Sequence, residues 1–138
     1  MASYVKYNNF IEKLANKEID FFGTTDTFKA ALCSDAPVVT TDSVLADTTQ
    51  VANGGGYTTG GEDTQNDSTR TTTTITETAV DIVWTATSGF GPFEYVVRYD
   101  DTHASDALIN YWDYGSSVTL LAAETFTLDF GASVSTLT

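Results

Sequence analysis

Residues 89–115 read GFGPFEYVVRYDDTHASDALINYWDYG. Two runs of alternating aromatic or aliphatic and polar residues, Tyr95-Val96-Val97-Arg98-Tyr99 and Leu108-Ile109-Asn110-Tyr111-Trp112-Asp113-Tyr114, flank a loop of Asp, Thr, His and Ser. That is the pattern of two strands joined by a polar connection. Successive side chains of a strand face opposite sides, so Tyr95, Val97 and Tyr99 are expected on one face and Val96 and Arg98 on the other. In the second run, Leu108, Asn110, Trp112 and Tyr114 are expected to share a face, with Ile109, Tyr111 and Asp113 opposite. The pair carries much of the aromatic bulk of the chain, which predicts the centre of a sheet.

The same alternation recurs outward from this pair. Val80, Ile82 and Trp84 alternate with Asp81 and Val83, and Phe126, Leu128 and Phe130 alternate with Thr127 and Asp129. Residues 27–33 place Phe28, Ala30 and Leu32 on one side. The threonine run at 71–78 surrounds Ile75 and favours a strand over a helix. Residues 118–121 predict a short strand, and the tail adds an edge strand through Val134 and Leu137. Pro37 demotes the next segment to a loop or an edge. Residues 38–67, rich in Thr, Asp, Gly and Asn with Gly54-Gly55-Gly56 and Gly60-Gly61, predict a long exposed excursion. About seven to nine short strands separated by turns predict an all-β fold, an antiparallel β-sandwich of the jelly-roll or immunoglobulin-like kind.

One helix is expected. Asn9 stands three residues before Glu12, a variant of the capping box, and Phe10, Ile11, Leu14 and Ala15 gather on one helical face. The helix is predicted over 9–18, with Glu12, Lys13, Asn16 and Lys17 on its polar side, and it either packs on its own domain or docks against a neighbour. The whole chain, 1–138, is expected to form a single domain with 1–26 as an N-terminal helical segment, a length that buries about two thirds of the unfolded surface around one core.

Charge is unevenly distributed. Within residues 1–29, four lysines balance four acids, whereas the remainder carries fifteen acids against Arg70 and Arg98 and so holds the whole net charge of −13. Direct nucleic-acid binding by so acidic a body is not expected, because that affinity comes from Lys and Arg neutralising phosphates. No segment approaches the ~20 apolar residues of a membrane span, and the N-terminus lacks the basic and apolar regions of a signal peptide, so a soluble protein not exported by the usual route is expected. The single cysteine, Cys33, excludes an internal disulfide.

Residues with chemical potential are few. His103 is the one histidine, and pairing it with Cys33 in a catalytic dyad competes with Cys33 as a small buried hydrophobe. Asp100, Asp101, His103 and Asp106 could offer ligands to Ca²⁺, but they lack the alternating acids and glycine of a calcium loop and read as a solvated turn. The glycine cluster has no Lys-Ser/Thr pair after it, which argues against a phosphate cradle. No catalytic residues, metal or cofactor are therefore assigned.

In their order along the chain, these elements resemble a diverse family of small virion structural proteins of tailed bacteriophages. The resemblance runs through the N-terminal helix, Thr27-Phe28-Lys29-Ala30-Ala31-Leu32, Gly56-Tyr57-Thr58-Thr59-Gly60-Gly61 and Val83-Trp84-Thr85-Ala86. It continues through Tyr95-Val96-Val97-Arg98-Tyr99-Asp100-Asp101 and Leu108-Ile109-Asn110-Tyr111-Trp112-Asp113-Tyr114-Gly115 to 126–128. An acidic, Thr-rich insert at 62–72 departs from the pattern. The resemblance implies a non-enzymatic decoration or cement protein on the capsid exterior of the virion, with the major capsid protein as partner. A homotrimer is expected from the local symmetry of capsid junctions. The alternative is a tail or head-fibre adhesin that uses exposed aromatics and the Gly-rich loop on glycans; a hydrolase would need paired acids in a cleft. Because the charge-balanced N-terminus begins with the amphipathic helix, Lys6, Phe10, Ile11, Lys13, Leu14 and Lys17 are the expected capsid or subunit interface.

Overall fold

In the computed structural model, which describes residues 3–138, the elements in chain order are β1 (Ser3–Lys6), α1 (Asn8–Ala15), β2 (Phe28–Cys33), a 3-10 turn (Leu45–Asp47), β3 (Glu62–Asp63), β4 (Asp67–Thr71), β5 (Thr74–Thr78), β6 (Ile82–Thr85), β7 (Phe90–Asp100), β8 (Ala107–Leu120), β9 (Thr125–Leu128) and β10 (Ser135–Leu137). The fold is all-β and sandwich-like, with one short helix, as the alternation predicts. One layer is a five-stranded antiparallel sheet in the order β1-β8-β7-β2-β3, with the aromatic pair β7 and β8 beside β2 at its middle.

The second layer comprises β4-β5-β10 and β6-β9. These are two lengths of one interrupted ribbon, because β5 leads directly into β6 and β9 into β10. At the interruption, the Phe130 N–H donates to Asp81 Oδ1 and the Val134 N–H donates to the Glu77 carbonyl. The chain crosses between layers at 64–66. There the Thr64 N–H and hydroxyl both donate to the Phe28 carbonyl, and the Asn66 side chain accepts from the Phe28 N–H and donates to the Asp26 carbonyl.

Between the layers lies the largest apolar cluster, which includes Leu32, Tyr57, Trp84, Phe93, Val96, Phe126 and Leu128. The opposite face of the five-stranded sheet is covered as well. Tyr7, Leu45 and Val39 pack there on Ala31, Cys33, Val97, Tyr99 and Leu108. A third cluster joins Phe10, Ile19 and Phe21 to Phe28, Ala107 and Ile109. Burial on both faces explains why β2 reads FKAALC, a near-continuous apolar run rather than an alternating one.

Four local expectations are corrected. Residues 38–67 are not a solvent-exposed excursion: Leu45, Val51, Tyr57, Thr64 and Asn66 are buried, and the Tyr57 hydroxyl accepts from the Leu32 N–H. Gly55, Gly56 and Gly61 there serve close backbone approach. A Cβ on Gly61 would lie 1.8 Å from the Ala30 carbonyl oxygen, and one on Gly55 would lie 1.8 Å from that of Gly89. In β8 the pairing slips by one residue between Arg98↔Asn110 and Tyr99↔Leu108, leaving Ile109 as a bulge residue. Leu108 therefore joins the face of Tyr111 rather than that of Asn110 and Trp112. Residues 118–120 continue β8 instead of forming a separate strand. Finally, the helix is shorter than 9–18 and begins without a capping box; its N-cap is Tyr7, and Asn9 instead donates through Nδ2 to the Ser43 carbonyl. The segment 1–26 contains the edge strand β1 as well as α1.

Candidate functional site

The helix carries a divided apolar face. Phe10 is 1 % exposed and lies against Phe21, with ring centroids 5.6 Å apart, so it belongs to the chain's own core. Leu14 is half-buried, and Ile11 is 46 % exposed. After Ala15 the chain reverses through Lys17 at φ 62°, with its N–H bonded to the Leu14 carbonyl. Ile19 and Phe21 then turn inward while Phe22 is left 51 % exposed. This turn is held from several sides. Asp26 Oδ2 accepts from the Asp20 N–H, Asp20 Oδ1 accepts from the Phe22 N–H, and Ser68 Oγ accepts from the Gly23 N–H while donating to the Phe21 carbonyl.

Between this turn, α1 and the paired residues Ile75 and Leu137 of β5 and β10 lies a groove of about 510 Å³. Its wall is formed by Leu14, Ile19, Phe21, Phe22, Ile75 and Leu137, with Lys17 and Asp20 at the rim. Ile11, one helical turn before Leu14, extends the same flank.

The six residues expected at an interface thus separate. Ile11, Leu14 and Lys17 lie at or beside the groove, and Lys6 is exposed at the end of β1. Phe10 is internal, and Lys13 is tied to Glu18 at 2.9 Å. Lys29 is likewise paired with Asp101, at 3.1 Å. Sequence reasoning missed Ile19, Phe22, Ile75 and Leu137. Phe21-Phe22 between a helix and a turn is the signal that could have drawn attention, since both rings cannot be buried by one short segment.

A second groove, also of about 510 Å³, lies on the opposite side of the first layer from β3. Tyr4 of β1 and Trp112 and Tyr114 of β8 face Leu128, Asp129, Phe130 and Val134 of the β9–β10 connection. Trp112 meets Tyr4 at 5.9 Å and 75° and Phe130 at 5.6 Å and 68°, both edge to face. The two grooves have no lining residue in common.

Asp100, Asp101, His103 and Asp106 lie in one turn, where Asp100 Oδ1, Asp101 and His103 are each engaged and the buried Asp100 Oδ2 has no hydrogen-bond partner among the described residues. Asp100 Oδ1 accepts from the Thr102 and His103 N–H groups, Asp101 pairs with Lys29, and His103 Nε2 lies 3.2 Å from Glu18 Oε2. Among the described residues, no three His, Cys, Asp or Glu side chains gather in a way that could hold a metal ion. Asp100 is fully buried; burial chiefly, with the nearby Asp26 carboxyl, pushes its pKa up to about 6. Cys33 is also fully buried, and burial raises its thiol to about 11, which keeps it protonated. Cys33 pairs with Tyr95 and Phe28 with Asp100, so Cys33 and the His103 turn lie at opposite ends of β2, a separation of about 16 Å. They are not brought together as a dyad. No described helix is long and apolar enough to cross a membrane. Compared with protein-family models, curated proteins and solved structures, the chain matches none.

Proposed function

We propose that this chain is a non-enzymatic structural protein of a tailed-phage virion that decorates the outer surface of the capsid and cements it. The observation that carries the reading is the apolar groove beside α1. Exposed Ile11 and Phe22 flank it, and it is built largely from the charge-balanced N-terminal part of a chain whose remainder is −13. The major capsid protein is the partner. The acidic body faces outward, away from neighbouring acidic copies. Covering Ile11 and Phe22 supplies roughly 1.5–3 kcal/mol each, modest for one copy. Around a three-fold junction, a trimer multiplies that contact through effective concentration.

The test uses heads assembled without this protein. Added full-length protein is expected to co-sediment with the heads and raise the temperature at which they release DNA. Ile11→Asp and Phe22→Asp, each checked by its melting curve, are expected to weaken attachment by at least about tenfold. Heads that bind the wild type yet gain no resistance to heat or low salt would remove the cementing role, and undiminished binding by both variants would remove the groove from the contact.

A receptor-binding role at the tail or on a head fibre is the second reading, favoured by the aromatic groove at the other edge of the sandwich. The Gly-rich loop does not support it, because Gly55, Gly56 and Gly61 are packed against 85–89 and 30–31. Immunogold labelling separates the two roles: dense label over the head supports cementing, and sparse or tail-confined label supports adhesion.

A further inference from the structure

We propose that the aromatic groove between β1–β8 and the β9–β10 connection binds a neutral oligosaccharide. The chain crosses between the layers at 64–66, on the β3 side, and again at 86–89 and 121–124. On the β1 side, among the described residues, no strand passes between them, and side chains line the gap. The resulting volume of about 510 Å³ is within the range of small-ligand sites.

Three properties of the lining select the ligand. First, two aromatic rings of the lining remain accessible, Tyr4 at 38 % exposure and half-buried Trp112, whereas Phe130 is buried. A ring face carries negative charge density, which suits the weakly positive C–H face of a pyranose. The two tryptophans divide accordingly: Trp84 is 2 % exposed in the core, whereas Trp112 is half-buried at the groove. Second, polar groups stand beside the rings. Asp129 Oδ1 accepts from the Gly131 N–H at 2.7 Å, which leaves Oδ2 for a sugar hydroxyl. Thr127 and Ser133 add hydroxyls, and burial together with the Asp129 charge raises the Tyr114 phenol, keeping it a hydrogen-bond donor. Third, among the described residues no Lys, Arg or His lines the groove, and the chain carries −13. An anionic ligand would meet Asp129 with no counter-charge, so a neutral sugar is selected over a nucleotide or a sulfated glycan. The site is independent of where the protein sits on a particle.

The test is a titration of the full chain with maltohexaose, chitohexaose and a mannan oligosaccharide, followed by tryptophan fluorescence and by amide chemical shifts. Heparin fragments and an apolar peptide serve as competing occupants. At least one neutral oligosaccharide is expected to give saturable shifts confined to residues around 4, 112–114 and 127–134. Trp112→Ala is expected to weaken it by at least about tenfold. Asp129→Ala, a change on an exposed connection that gives up only the Gly131 N–H bond, is expected to weaken it while the protein still melts cooperatively within about 8 °C of the wild type, so the site remains testable should the tryptophan variant fail to fold. Binding by none of the three sugars overturns the proposal. So do shifts that map elsewhere, affinity unchanged by Asp129→Ala, or saturable binding by heparin or the peptide alone.

Discussion

Arg98 is completely buried between the layers, where Nη1 and Nη2 donate to the two carboxylate oxygens of Glu77, itself 1 % exposed. Its Nε donates to Asn110 Oδ1 at 2.8 Å, and its guanidinium carbon lies 5.5 Å from the centre of the Phe28 ring. Glu77 also accepts from Ser135 Oγ at 2.9 Å, so the pair fastens β5, β7, β8 and β10 at one point. Such a pair adds little over apolar replacements of similar size, but removing one partner strands a charge in the core. Glu77→Ala is therefore expected to lower unfolding free energy by about 3–5 kcal/mol in urea, and the double replacement Glu77→Leu with Arg98→Met to recover most of that loss. A small effect of the single change would mean that water reaches Arg98. Asp100 supplies a second test at this scale. Its folded pKa of about 6 lies above the ordinary carboxylate value, so the folded state holds the proton more tightly than the unfolded chain. Stability from this group is therefore full below about pH 4 and is lost as pH rises through about 6. Asp100→Asn can still accept from the Thr102 and His103 N–H groups through Oδ1. It is expected to gain on the wild type by on the order of 2 kcal/mol between pH 4 and 7, and a difference constant with pH would refute the assignment.

At the scale of elements, what the sequence made legible is what alternation encodes. Ile82 and Trp84 face inward from β6, Phe126 and Leu128 from β9, and Tyr95, Val97 and Tyr99 share a face of β7. Alternation cannot show that both faces of β7 are buried, because the cover over Val97 and Tyr99 comes from Tyr7 and from 34–51, a segment with little regular structure. Its anchors on this face, buried Leu45 and half-buried Val39, stand isolated among Thr, Asp and Ser. The bulge at Ile109 was equally hidden: an inserted residue leaves composition unchanged and alters only the register. As for the candidate site, the helical half of the groove was visible in the spacing of Ile11, Leu14 and Lys17. The half made by Ile75 and Leu137 depends on a pairing between strands 62 residues apart. The division of α1 yields a direct comparison. Phe10→Ala removes a core ring and is expected to destabilise by about 3–5 kcal/mol, whereas Ile11→Ala is expected to change stability by less than about 0.5 kcal/mol. Deleting 1–18 strips Phe10 from Phe21 and Tyr7 from Tyr111, so a soluble, cooperatively melting remainder would show that the helix is an appendage after all.

On the scale of the whole molecule, charge decides how copies meet. Two of the lysines in residues 1–29 are held by Glu18 and Asp101, so the N-terminal region offers few cations to offset the −13 of the body. A domain of this length has a radius of gyration of roughly 14 Å. At ~0.01 M salt the screening length of ~30 Å exceeds that radius, so each subunit feels the full charge of its neighbours; at ~1 M it shrinks to ~3 Å and only groups in contact interact. Apolar side chains for contacts between copies are present, since Val83 is 57 % and Leu121 67 % exposed. If three copies assemble through such surfaces, rising salt removes long-range repulsion and strengthens apolar burial together, so the trimer fraction in sedimentation equilibrium is expected to increase between these two conditions. A trimer that dissociates as salt rises would point instead to ionic contacts through Lys6 or Lys17, and a monomer at every salt concentration would refute a trimer that forms in free solution.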